Sequence, residues 1–123
     1  MKITFLTASQ NQKQCGITDY TELLCQELTK RKTKCECYGL SQKIITLNKS
    51  NKFPKADIFS IQFAPYSFSS SGLFGRSLFN LAALLSDKKL HINFHEIWIG
   101  AYPRAPLKER FIGWKQKREI LRF

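Results

Sequence analysis

Two short apolar runs, DIFSIQF at 57–63 and INFHEIWIG at 92–100, limit the folds open to this chain more than any other feature. Each is rich in Ile and Phe, and each is far shorter than the ~18 residues a membrane span needs. Near-continuous runs of this length suit strands buried on both faces, the usual state of a parallel sheet. The rest of the pattern agrees. KITFLT (2–7) and KCECYGL (34–40) have strand content, and KIITLN (43–48) reads as a short strand or a loop. Between them lie helical stripes. Ile17, Tyr20, Leu24 and Leu28 form one, with Leu23 beside them; Phe74, Leu78, Leu81 and Leu85 form another. From Leu107 a basic amphipathic helix carries Phe111, Trp114 and Leu121 on one side. Strand–helix alternation of this kind predicts an α/β fold: a Rossmann-like parallel sheet with helices on both faces, forming one domain over 1–123.

Charge narrows the partners without fixing the fold. Twenty Lys and Arg against nine Asp and Glu leave a net charge of +11. The bases are spread evenly, with denser patches at KRKTK (30–34) and over 104–123, where seven Lys/Arg meet two Glu. Anionic partners fit such a surface: nucleic acid, lipid headgroups or nucleotide phosphates. A solvated basic face is the bland alternative. No helix-turn-helix, zinc knuckle or aromatic RNA-binding strand is present, so no specific nucleic-acid partner is expected. The opening MKITFLTASQ lacks the apolar core and cleavage site of a signal peptide, which favours a cytoplasmic chain. Cys15, Cys25, Cys35 and Cys37 form no CxxC pair and read as reduced thiols, with Cys35 and Cys37 small buried residues on one strand face. His91 and His95 lie four apart on a strand, roughly 13 Å, too far for one metal ion. No metal or other cofactor is expected.

In parallel sheets, ligands bind outside the carboxyl ends of the strands. The loop before Gly16, the segment after Gln62 and the residues after Phe94 all leave from that edge. Gly16, Gln62, Tyr66, His95 and Glu96 are therefore the candidate site residues. His95 either caps a strand or handles a substrate hydroxyl, since its pKa range lies near neutrality. Gly16 either turns the chain or lets a phosphate approach the start of a helix.

Taken together, CGITDYTELLCQEL, DIFSIQFAPYSFSSSGL and INFHEIWIG resemble, in order and spacing, the N-terminal half of a GT-B glycosyltransferase, nearest to glycosyltransferase family 4. The likeness runs over roughly residues 1–120. It implies that His95 is the catalytic motif histidine, and that Cys15, Gly16 and Ile17 form the loop facing the donor phosphates. Many relatives carry two neighbouring glycines in that loop; here Gly16 stands alone. The resemblance further implies transfer of a sugar from a nucleotide-sugar to a carbohydrate or lipid-linked acceptor, as in polysaccharide biosynthesis. The donor pocket of such enzymes lies in a second, C-terminal Rossmann-like domain that these residues do not include. The expectation is an acceptor-side half, inactive alone, working in the cytoplasm beside the inner face of an anionic membrane. A small basic flavodoxin-like binding or regulatory module, with nucleic acid as one candidate partner, is the alternative.

Overall fold

In the computed structural model, which describes residues 1–8, 16–40, 53–74 and 77–122, four parallel strands form one sheet. β1 (Lys2–Ala8) and β3 (Ile58–Phe63) are central; β2 (Lys34–Leu40) pairs with β1 and β4 (Lys89–Phe94) with β3, giving the order β2-β1-β3-β4. The chain moves from β1 outward to β2, then crosses back to β3 on the other side of β1. The direction of winding thus reverses between β1 and β3, which opens a crevice at their carboxyl ends. Helices α1 (Gly16–Lys30), α2 (Pro65–Phe68), α3 (Ser77–Leu84) and α4 (Leu107–Ile120) complete the described elements.

Strand periodicity divides the sheet into two unlike faces. In register, Leu6 lies beside Ile61 and Tyr38, and Ile61 beside Ile92. These side chains share a face with Ala8, Leu40, Phe59 and Phe63, and α3 covers it with Leu78 and Leu81. This is the hydrophobic core; Phe63 anchors it, packing edge-on to Phe74 at a centroid distance of 4.9 Å. The opposite face carries Phe5 and Thr7 of β1, Cys35 and Cys37 of β2, and the polar residues Ser60, Gln62, His91 and Asn93. On that face α1 packs against β1 and β2, where the Cys37 thiol reaches Thr21 O at 3.9 Å.

The α/β class, the parallel sheet and helices on both faces are as the sequence predicts. Several details differ. The buried residue of α1 is Thr21, whose hydroxyl is occupied by Ile17 O at 2.6 Å, while Tyr20 and Leu23 are exposed. β4 is not buried on both faces: it is the outermost described strand on its side, and Phe94 at its end is exposed, as is Ile97 beyond it. Cys35 is half-buried and Cys37 exposed on the strand at the other side; the thiols of Cys25, Cys35 and Cys37 are free. Although Cys37 as a whole is exposed, its sulfur is turned under α1 towards Thr21 O, and desolvation there together with the neighbouring Cys25 thiol pushes it up to about 12, and so away from reactivity. The loop after β3 contains α2, started by Pro65 at a position where a missing N–H costs nothing. KIITLN lies outside the described residues.

Candidate functional site at the carboxyl edge

The polar face of β3 and β4 ends in a hydrogen-bonded cluster. Gln62, fully buried, puts its Oε1 2.8 Å from His95 Nε2, and Asn93 Nδ2 donates to the same oxygen at 3.1 Å. The other end of the amide is committed too: Gln62 Nε2 donates to Ser60 Oγ at 2.9 Å. Ser60 Oγ in turn lies 2.8 Å from His91 Nδ1. Register explains the whole row, because Ser60 lies beside His91 and Gln62 beside Asn93.

The polarity of this chain sets the tautomer of His95. A carbonyl oxygen can only accept, so the 2.8 Å contact with Gln62 Oε1 favours a proton on Nε2 over the longer 3.3 Å contact in which Nε2 would accept from Asn93 Nδ2. In the neutral ring Nδ1 then keeps its lone pair, with no hydrogen-bond partner among the described residues. Two further contacts hold the ring. The backbone N–H of His95 donates to Phe63 O at 2.9 Å, carrying the β3–β4 ladder one step past the strand. Tyr20 of α1 meets the imidazole edge-on at 5.3 Å between centroids. Burial lowers the His95 pKa below its ordinary value, and the negative charge of Glu96 partly opposes this. The ring is thus held neutral, which suits accepting a hydrogen bond or a proton.

Beyond His95 the chain runs along an open, shallow cleft of about 670 Å³ lined by Tyr66, Trp98, Ile99, Gly100, Ala101, Tyr102 and Glu109. Its aromatic walls are set by close packing. The Tyr66 ring lies over Gly72, where a Cβ would come within 2.7 Å of it, and Gly72 has a φ of +72° that disfavours any other residue. Tyr102 Oη donates to Glu109 Oε2 at 2.6 Å, which raises the tyrosine pKa. Gln116, fully buried, clamps the two loops: its Oε1 accepts from Ile99 N at 2.9 Å and its Nε2 donates to Gly72 O at 2.8 Å.

Of the residues singled out in sequence, Gln62 and His95 are in direct contact, with Tyr20 bringing α1 to them. Glu96 is exposed and acts on His95 through its charge. Tyr66 lines the aromatic cavity, not the histidine cluster. Gly16 is the exposed first residue of α1, with open space where a side chain would be. Ile17 is half-buried and contributes its carbonyl to Thr21. Cys15 lies outside the described residues. Ser60, Asn93, Tyr102, Glu109 and Gln116 carry no motif; the alternation of His91, Asn93 and His95 along β4 and one step past its end is the signal that points to Asn93. Among the described residues, no three His, Cys, Asp or Glu are placed to hold a metal ion, and no helix is long and apolar enough to cross a membrane. Set against family models, curated proteins and solved structures, the chain finds no match.

Proposed function

We propose that this chain is the acceptor-side half of a GT-B glycosyltransferase, one that moves a sugar from a nucleotide-sugar to a carbohydrate or lipid-linked acceptor. The observation that carries the reading is His95, pinned through Nε2 by Gln62 at the carboxyl edge, with Nδ1 left to meet a hydroxyl. A sugar hydroxyl is the natural donor to that atom. The aromatic cavity supports the same reading, because sugar rings pair apolar C–H faces with a polar rim. Tyr66, Trp98 and Tyr102 offer the faces, and Glu109 offers an acceptor for the rim. In this proposal Gly16, at the start of α1, faces the donor phosphates, where free N–H groups and positive potential favour an anion.

Glycosyl transfer also requires stabilising an oxocarbenium-like centre and a leaving diphosphate together. One neutral histidine and one helix start do not do both. The reading therefore pairs these residues with a second Rossmann-like domain that holds the nucleotide, and it carries with it a cytoplasmic location. The test is saturation-transfer NMR of the chain with free oligosaccharides, alongside an assay with a panel of nucleotide-sugars. Saccharide contacts at Tyr66 and His95, with neither hydrolysis nor transfer, are expected. Turnover by these 123 residues alone would overturn the half-enzyme reading, and saccharides that bypass both side chains would remove the acceptor role.

A further inference from the structure

The polar row of β3 and β4 has a direction. Gln62 Nε2 can only donate, so Ser60 Oγ accepts from it at 2.9 Å. The Ser60 hydroxyl hydrogen is then left for His91 Nδ1, 2.8 Å away, which accepts with its lone pair. Every donor from His95 onward therefore points the same way: His95 to Gln62, Gln62 to Ser60, Ser60 to His91. The middle and the far end differ in exposure. Ser60 and Gln62 are 2% and 1% exposed, so water cannot stand in for either, while His91 is exposed. In such a row each bond polarises the next, and the direction is shared by all its members. A proton on His91 Nδ1 would free the Ser60 hydroxyl to turn to Gln62. The amide satisfies that hydroxyl only by presenting Oε1 to Ser60 and its NH2 group to His95, whose Nε2 then has to accept.

We propose that Ser60 is a positioning residue for His95, fixing which way round the Gln62 amide sits, and that the lone pair of His91 at the far end of the row fixes Ser60. The proton of the histidine at the carboxyl edge is thus placed by a ring four residues back along the chain, ~13 Å away in an extended strand. The consequence lies at His95 Nδ1. With the row as it stands, that atom accepts from a ligand hydroxyl. With the row reversed, the ring's lone pair is spent on the Gln62 amide, and Nδ1 can only donate. Asn93 does not set the direction by itself. It donates to Gln62 Oε1 at 3.1 Å and lies 3.3 Å from His95 Nε2, but its own amide can turn end for end with that of Gln62, so it follows the row. This deepens the glycosyltransferase reading and rests on it only for what His95 Nδ1 meets; the placing of the proton does not depend on it.

Long-range 1H–15N NMR of the whole chain tests it at about pH 8, where an imidazole is ordinarily neutral. Both rings are expected in the Nε2–H form. Ser60→Ala removes the link and should raise the ratio of Nδ1–H to Nε2–H at His95 by about fivefold, the factor that one net hydrogen bond is worth. Ser60→Thr keeps the hydroxyl and should keep the parent ratio. His91→Phe removes the lone pair at an exposed position, where the fold is not at stake, and should move His95 in the same direction as Ser60→Ala. A His95 ratio that Ser60→Ala leaves in place while the thermal midpoint falls would overturn the proposal, making Ser60 a packing residue. So would an unmoved ratio in His91→Phe, or a Ser60→Thr ratio equal to that of Ser60→Ala. Should Ser60→Ala fail to fold, His91→Phe decides alone. No saccharide enters this readout, so the two readings fail separately. A moved ratio in a chain that binds no saccharide keeps the positioning role and removes the sugar role; saccharide bound at His95 with the ratio unmoved does the reverse.

Discussion

Helices α3 and α4 are held to the same fold by opposite chemistry. α3 presents Leu78 and Leu81 to the sheet, both fully buried among Leu6, Ile61 and Phe63. α4 presents a glycine and a glutamine, and only its last residue, the half-buried Ile120, packs against that core. At Gly113 a Cβ would stand 1.8 Å from Ile99 O, so the helix backbone lies directly on the chain that follows β4. Gln116 ties that chain to Gly72. Hydrophobic burial tolerates small shifts, whereas a backbone-to-backbone contact with two buried hydrogen bonds does not. α3 therefore supplies stability, and α4 fixes the shape of the cavity while its apolar side stays free for another surface.

Substitutions can break that contrast. Leu78→Ala should cost the most, about 3 kcal/mol of unfolding free energy by urea titration, since it opens a hole in the closed core. Gly113→Ala should follow at about 2 kcal/mol, and it should also displace the Ile99 segment, read as altered amide shifts at 98–101. Gln116→Leu strands the Ile99 N–H and the Gly72 carbonyl, for about 1–2 kcal/mol in the same titration. Trp114→Ser should change stability by no more than about 0.5 kcal/mol. A Trp114→Ser loss as large as that of Leu78→Ala would show that α4, too, is held by its apolar stripe.

Much of this was legible in the sequence, and the failures share a cause. Strand content and helical spacing report which segments meet a core, so the α/β class and the stripe from Phe74 to Leu85 could be read directly. The outward turn of Phe111, Trp114 and Leu121 could not, because periodicity gives a face but not its direction. The two faces of β3 were missed because Ser60 and Gln62 are as buried as Phe59 and Ile61. An apolar-looking run concealed a polar row that only pairing with His91 and Asn93 reveals. Phe68 belongs to the core beside Phe63, while Tyr66, two residues earlier, lines the cavity. Gly113 and Gln116 leave no pattern at all, since close backbone approach is a property of two segments together.

The central claim is that Gln62 holds His95 neutral, protonated at Nε2 and open at Nδ1. Long-range 1H–15N NMR of the histidine rings across a pH series measures all three. The Nε2–H tautomer is predicted, with a pKa below the ordinary 6.5. Because the folded value is depressed, the unfolded chain takes up the proton first as pH falls. Stability from this group should be complete above about pH 6.5 and decline below it until the folded ring also protonates. Gln62→Leu should release the tautomer preference, leaving both forms populated. A His95 ring protonated at Nδ1, titrating at or above 6.5 and indifferent to Gln62→Leu, would contradict the account.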